Sequence, residues 1–278
     1  MDKANVFADL ADDCAELDQI LADLGPEDWT RSTPAHGWQV RHQVAHLCAV
    51  FRMAAVAASD APAFQALTAQ LGDDFDANVT AALSRYLDTG SAALRGRWRE
   101  EWTDAVEALA AVPAGQTVPW LVRPLPAPVL AAAGMMELFG HGQDIADTLG
   151  TRRDHTDRIR HVVAFAVQTW DFGYLSRNLT PPQRGFRYEL TAPSGALWVY
   201  GPEDAELITG PAVDLCLLAT RRRHRDDLAL TAVGADADRW LDIAQAYRGP
   251  AGPGRRPGQF DPPAATAGGP SHTLDGQP

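Results

Sequence analysis

The sequence contains little cysteine and has no long hydrophobic run. Only three of its 278 residues are cysteines, Cys14, Cys48 and Cys216, and no two of them form a CxxC pair. An odd, widely spaced set does not build a disulfide framework, so we expect a reducing compartment, the cytoplasm. No apolar run reaches the roughly 18 residues of a membrane span, and the first residues lack the pattern of a signal peptide. We therefore expect no membrane partner.

Positive charge is also scarce. The chain has 24 basic and 36 acidic residues and a net charge of −12. Such an acidic surface repels phosphate backbones, so nucleic acid is not an expected partner. The densest basic run, 221–225, is followed at once by Asp226 and Asp227, which partly offset its charge. The hydrophobic fraction of 46% is ordinary for a globular protein and excludes collagen-like and wholly disordered chains.

The first part of the chain is predicted to be helical. From Val6 to Leu24, apolar residues recur at steps of three and four, as in an amphipathic helix, and Gly25-Pro26 ends the pattern. Further helices are predicted over 38–58, over 76–112 with a bend at Gly90, over 128–149 and over 156–177. Helices of this number and length, with polar connections, are typical of a bundle. We assign residues 1–180 to it.

After residue 180 the pattern changes to short strands. Alternating apolar residues around the turn Ser194-Gly195 predict a hairpin over 186–191 and 196–200. Strands over 206–209 and 228–233 and helices over 212–220 and 236–247 complete a small α+β domain at 181–250, so the whole chain is α+β. From Gly249 to Pro278, 14 of 30 residues are Gly or Pro. We expect residues 251–278 to form a disordered tail.

The strongest candidate site lies in the helix predicted over 128–149. Glu137 and His141 are four residues apart and share one helix face. His46, in an apolar part of the second helix, can add a third ligand if the two helices pack together. Two histidines and one carboxylate leave coordination positions open for a reactant, and they suit zinc, nickel, iron(II) or manganese. By spacing alone, a solvated Glu–His pair and a core histidine are the alternatives, and His42 is a further candidate ligand or proton shuttle.

Two stretches carry a resemblance to a known family: GWQVRHQVAHL at 37–47 and ELFGHGQD at 137–144. Together they resemble the DinB-type metal-binding bundle, and more closely its mycothiol-dependent maleylpyruvate isomerase branch. Three later segments, ITGPAVD at 208–214, RRHRDD at 222–227 and WLDIAQAY at 240–247, are similar to a C-terminal domain of actinobacterial metal-binding proteins. That domain is sometimes labelled a wyosine-base-formation domain. The resemblance covers residues 5–255.

The resemblance implies an N-terminal DinB-like four-helix bundle with a metal site. Its three metal ligands correspond to His46, Glu137 and His141. It also implies an active-site arginine from the C-terminal domain, for which we favour Arg222 within the run 221–223, although the sequence does not fix which of the three faces the site. Asp144, one turn after His141, is expected either to orient a metal ligand or to be an ordinary surface residue.

The resemblance further implies that the metal holds a low-molecular-weight thiol, mycothiol, whose thiolate adds to an activated double bond, allows rotation and leaves. We therefore expect a metal-dependent isomerase or S-transferase, monomeric or homodimeric, that acts on a small carboxylated metabolite bound by an arginine. The alternative is a thiol-independent cyclase, lyase or hydrolase that acts on a natural-product intermediate. An RNA-related module, which the wyosine label suggests, is disfavoured by the acidic charge.

Overall fold

Four long helices form the N-terminal bundle in this computed structural model, which describes residues 3–121 and 123–260. They are α1 (Lys3–Ala22), α2 (Val40–Ser59), α5 (Ser91–Ala111) and α6 (Ala127–Leu149). Helices α1 and α2 each pack against both α5 and α6. Their apolar faces are buried in one continuous core. The predicted helical bundle is confirmed.

Shorter elements connect the long helices. Helices α3 (Ala61–Thr68) and α4 (Phe75–Leu87) lie between α2 and α5, and a short pair of strands, β1 (Thr117–Val118) and β2 (Leu125–Pro126), precedes α6. The helix predicted over 76–112 is divided at Gly90 into α4 and α5. Helix α3 was not predicted; its first turn is capped by Asp60, whose carboxylate accepts the Ala63 N–H at 2.9 Å.

Beyond α6 the chain turns sharply. Gly150 ends that helix with a φ of 68°, a left-handed conformation that favours glycine. Helices α7 (Arg160–Gln168) and α8 (Phe172–Leu175) follow, so the single helix predicted over 156–177 is wrong. The break lets α8 lie against the backbone near Ile243, where a Cβ on Gly173 would be only 2.1 Å from the Ile243 carbonyl oxygen.

The C-terminal domain is a four-stranded sheet covered by two helices. Its strands are β3 (Arg187–Thr191), β4 (Leu197–Tyr200), β5 (Leu207–Pro211) and β6 (Thr231–Val233), in the order β4-β3-β5-β6. The predicted hairpin β3–β4 is antiparallel, β3 and β5 are parallel, and β5 and β6 are antiparallel. Helices α9 (Ala212–Ala219) and α10 (Ala235–Ile243) complete the α+β domain.

The C-terminal domain packs directly on the bundle. Helix α9 contacts α6 and α7, and the Trp240 indole N–H donates to the Trp170 carbonyl at 2.8 Å. This packing brings the arginine run after α9 beside α6.

The predicted tail at 251–278 is only partly within the described residues. Residues 251–260 fold back onto the protein. Arg221 of the C-terminal domain donates to the Gly252 carbonyl at 3.3 Å, and the Gly258 N–H donates to Asp227 at 2.7 Å. Arg255 in the same stretch contacts Asp144 of α6. Polar contacts, rather than apolar burial, hold this stretch, so its Gly and Pro content did not reveal them. Residues 261–278 lie outside the described residues. Within the described chain, no helix is both long and apolar enough to span a membrane.

Candidate metal centre

His46, Glu137 and His141 converge where α2 packs against α6. One donor atom from each residue lies within 4.8 Å of the donor atoms of the other two. A carboxylate oxygen of Glu137 is 3.3 Å from Nε2 of His141 and 3.6 Å from Nε2 of His46. The helix pair thus brings together all three residues that the sequence singled out.

The donor set fits a divalent metal ion. Ligands bound at about 2.0–2.1 Å in a tetrahedral arrangement are about 3.3 Å apart, close to the two separations between Glu137 and the histidines. The three side chains are 18%, 23% and 12% exposed for His46, Glu137 and His141, respectively. The cluster is therefore recessed but still reached by solvent, as a site that accepts a reactant must be.

Electrostatics at the cluster favour the metal-binding protonation states. Burial alone would raise the pKa of Glu137, but its contacts with His141 and His46 hold the pKa well below its usual range. Burial, followed by the nearby His46, lowers the pKa of His141 to about 4. An ionised carboxylate and a neutral imidazole are the forms that coordinate a cation.

His141 has a further partner, Gln43, on α2. Oε1 of Gln43 lies 2.5 Å from Nδ1 of His141. The Thr33 hydroxyl donates to the Trp38 carbonyl at 3.0 Å and therefore accepts from Nε2 of Gln43 at 2.9 Å. This fixes the amide so that its oxygen faces His141, whose Nδ1 must then carry the proton. Nε2 of His141 is left with its lone pair directed towards Glu137 and His46.

Trp38 covers the two imidazoles. Its ring stacks on His141 with centroids 5.9 Å apart and an interplanar angle of 22°, and it lies 5.5 Å from the His46 ring. Among the residues that the structure describes, His42 is not part of the cluster formed by His46, Glu137 and His141. Its Nδ1 accepts the Gln39 N–H at 3.0 Å, so it caps the start of α2 rather than binding a metal there.

Asp144 is fully buried on α6, so the surface alternative is wrong. It does not touch a metal-ligand candidate directly. Its Oδ2 is 3.5 Å from Nε2 of Gln43, which in turn contacts His141. Arg222 lies 3.0 Å from the same carboxylate oxygen, and Arg255 lies 2.5 Å from Oδ1. Asp144 is therefore the acceptor at the centre of a buried charged group behind the metal centre.

The structure separates the three adjacent arginines. Arg221 has a φ of 58° at the end of α9, which turns the chain so that Arg222 points towards α6. Arg222 donates to the carbonyls of Gly140 at 2.9 Å and Thr220 at 2.5 Å, and its side chain is 12% exposed.

Arg223 instead forms two hydrogen bonds with the Asp147 carboxylate, at 2.7 and 2.8 Å. Arg222 thus contacts the backbone directly before His141, and its charge helps to lower the pKa of His141.

Sequence reasoning missed Gln43, Trp38 and Arg255. Gln43 carried a usable signal, since it is a polar residue on the apolar face of α2, one turn before His46. Gly140 is a second missed signal, because a Cβ there would lie 3.2 Å from the guanidinium of Arg222. Glycine in the interior of a helix often marks such a close approach.

A cavity of about 620 Å³ lies elsewhere, between α1 and the chain that follows α6. Its lining includes Phe139, Arg153 and His155 but none of the three candidate metal ligands. The candidate metal centre is thus separate from this cavity.

Comparisons with known proteins agree with this architecture. The model of the family described as the mycothiol maleylpyruvate isomerase N-terminal domain matches residues 10–146, which include all three candidate ligands but not the C-terminal domain. Two proteins of Mycobacterium tuberculosis, from strains CDC 1551 / Oshkosh and ATCC 25618 / H37Rv, are both described only as uncharacterized. Each is 39% identical to this chain over 255 residues, 91% of this chain and 99% of the relative.

Solved structures show the same fold. The crystal structure of a mycothiol-dependent maleylpyruvate isomerase superposes with a TM-score of 0.53 at 14% identity, over 84% of this chain and 93% of that one. A histidine-to-alanine mutant structure of such an isomerase gives a TM-score of 0.55 at 13% identity, over 80% and 90% of the two chains. The match spans both the bundle and the C-terminal domain, so the order of the two domains is shared.

Proposed function

The chain belongs to the mycothiol maleylpyruvate isomerase family, and on that premise we propose that it is a metal-dependent, thiol-using isomerase or S-transferase. The observation that carries this proposal is the convergence of two imidazoles and one carboxylate within 4.8 Å at a solvent-reached recess. The substrate would be a small metabolite with a carboxylate group.

His46, Glu137 and His141 would hold the metal, zinc being the first choice for two nitrogens and one oxygen. A divalent metal bound there would lower the pKa of a coordinated thiol, and the thiolate could add to an activated double bond and leave after rotation. Gln43 contributes by holding His141 in the tautomer whose Nε2 is free to coordinate. Trp38 restricts both imidazole rings by packing against them.

The chain's own thiols do not offer a nucleophile. Cys14, Cys48 and Cys216 are unpaired and buried, and burial raises the pKa of each thiol. A thiol step at the recess therefore needs a small thiol from solution, which is the role proposed for mycothiol. Unpaired cysteines also agree with a reducing compartment, and we propose the cytoplasm.

Arg222 is proposed to meet the carboxylate of the substrate. Its Nε and Nη1 atoms are engaged by Asp144, Gly140 and Thr220, whereas Nη2 makes no hydrogen bond with the described residues. A guanidinium held this firmly is already oriented when a carboxylate arrives.

The metal is tested by elemental analysis of the purified protein beside His46→Ala and Glu137→Ala. We expect about one equivalent of metal in the parent and at least a tenfold loss of metal affinity in each variant, since each removes one of three ligands. His36→Ala, which changes an exposed histidine ahead of α2, is the matched control. Full metal retention in both ligand variants would refute the site.

Thiol use is tested separately on protein loaded with Co²⁺. Mycothiol is expected to produce a sulfur-to-cobalt absorption band, and its S-methylated form, which cannot become a thiolate, is the control. If the protein binds Co²⁺ but gives no band with mycothiol, the proposed metal site stands and the proposed use of a thiol is refuted. That outcome would favour the thiol-independent cyclase, lyase or hydrolase.

A further inference from the structure

We infer that Arg255, from the stretch after the C-terminal domain, is a positioning residue of the metal centre. It acts through Asp144 and Gln43 on the orientation of His141. This inference rests on the proposed metal site and extends it by a residue that lies outside the matched family region and beyond α10, the last helix of the described residues.

The first step is the contact between Arg255 and Asp144. Nη2 of Arg255 lies 2.5 Å from Oδ1 of a carboxylate that is fully buried, and the Arg255 side chain is itself 10% exposed. A buried carboxylate must be paired, because an isolated charge away from water is strongly unfavourable. Arg222 pairs with the other oxygen, Oδ2, at 3.0 Å. Each oxygen thus has its own guanidinium, which fixes the rotation of the carboxylate.

The second step runs from Asp144 to the ligand. With Oδ1 held by Arg255, Oδ2 is the oxygen that faces the Gln43 amide nitrogen at 3.5 Å. A carboxylate can only accept, so it favours the orientation of Gln43 that directs Nε2 towards Asp144 and Oε1 towards Nδ1 of His141. If Arg255 is removed, the carboxylate can turn, and this constraint on Gln43 weakens.

The stretch that carries Arg255 is anchored on both sides. Before it, Gln245 donates to the Gly249 carbonyl at 3.1 Å. After it, the Arg223 guanidinium lies 3.8 Å from the centroid of the Phe260 ring. These contacts fix the segment on both sides of Arg255 and so place its side chain beside Asp144. The same segment supplies a matched comparison, since neighbouring Arg256 is exposed and is hydrogen-bonded there through its backbone N–H to Gln259.

The sign of the effect separates positioning from simple electrostatics. Arg255 is a cation near a cation site, so loss of its charge alone would strengthen metal binding. Loss of an indirect contact that orients a ligand weakens metal binding, typically by about 10–100-fold. Weaker binding in an Arg255 variant is therefore diagnostic of orientation.

The test uses the full chain and compares the parent with Arg255→Ala, Arg255→Lys, Arg256→Ala and Asp144→Asn. Zn²⁺ affinity is measured by competition with a chromophoric chelator, and the Co²⁺ form is followed by its d–d absorption. We expect Arg255→Ala to bind Zn²⁺ about tenfold more weakly and to show a changed d–d spectrum. Arg255→Lys should recover part of the loss, and Arg256→Ala should match the parent.

A double-mutant cycle shows whether Arg255 acts through Asp144. In the Asp144→Asn background, Arg255→Ala should cause no further change, because the mediating carboxylate is gone. Parent-like or tighter Zn²⁺ binding by folded Arg255→Ala, with an unchanged Co²⁺ spectrum, would overturn the inference. If Arg255→Ala does not fold, Arg255→Gln carries the same comparison with the same two outcomes. If the parent itself binds no metal, the proposed function fails, which is a distinct result.

Discussion

Gln43 and His141 are joined by a hydrogen bond of 2.5 Å between an amide oxygen on α2 and Nδ1 on α6. The bond links the two helices that carry the candidate metal ligands. It also gives the two nitrogens of the His141 ring different roles, one as hydrogen-bond donor and one as candidate metal donor. Nδ1 is committed to Gln43, and Nε2 faces Glu137 at 3.3 Å. The orientation of this candidate ligand is thus set by Gln43, which is not one of the three candidate donors.

Replacing Gln43 by Leu should weaken metal binding by about 10–100-fold, because Nδ1 of His141 loses its acceptor and the tautomer is no longer fixed. The measurement is Zn²⁺ affinity, together with the ¹⁵N chemical shifts of the His141 ring. Gln19→Leu, which changes an exposed glutamine of α1, is the matched control. Equal affinities for the two variants would show that the Gln43 contact does not support the ligand.

Gly140→Ala should fail to gain the stability that alanine normally brings to a helix. In an open position of a helix, Gly→Ala adds about 0.5–1 kcal/mol. At Gly140 the new Cβ would lie 3.2 Å from the guanidinium of Arg222, which three protein oxygens hold in place. We expect an unchanged or lower free energy of unfolding by chemical denaturation.

The control for Gly140→Ala is Gly96→Ala in α5, where nothing lies within 4 Å of an added Cβ. That variant should be more stable than the parent. If both variants gain stability equally, the Arg222 side chain moves away from the new Cβ at no cost, and its guanidinium is not fixed against α6.

The bundle could be predicted because its helices repeat apolar residues at the helical period, and α6 emerged with nearly its observed bounds. Spacing alone offered Glu137 and His141 as candidate ligands and His46 only on condition that the two helices pack together, because a Glu–His pair four residues apart states nothing about the second helix. The resemblance then supplied all three as one set. The role of Gln43 depends on a contact between residues 98 positions apart. The contact of Arg255 with Asp144 was not predicted for another reason. The composition of residues 251–278 indicates how little apolar surface they can bury, whereas the segment that carries Arg255 is held by ionic and polar contacts.

The three cysteines should resist a water-soluble disulfide reagent in the native protein at pH 8. Cys14, Cys48 and Cys216 are buried, and burial raises their pKa values, so neither the thiolate nor a route to it is available. In denaturant the same assay should count three thiols per chain. Rapid reaction of one native thiol would instead identify a nucleophile within the chain and weaken the case for an external one.

His155 should make the protein less stable as the pH falls below neutrality. Burial, followed by the nearby Arg153, lowers the pKa of His155 to about 4. The unfolded chain takes up this proton near pH 6.5. Because the folded pKa is the lower one, the stability linked to neutral His155 is complete above about pH 6.5 and is lost as the pH falls towards 4. His155→Phe removes the titration and preserves an aromatic ring against Phe139, whose centroid is 5.0 Å from that of His155.

We therefore expect the parent to lose about 1–2 kcal/mol more unfolding free energy than His155→Phe between pH 7 and pH 5. The measurement is chemical denaturation of the metal-free proteins at both pH values. His141, which also has a lowered pKa, titrates in both proteins, so its contribution cancels in the difference. Parallel pH profiles for the two proteins would mean that the His155 ring reaches water in the folded state and has no part in the acid sensitivity.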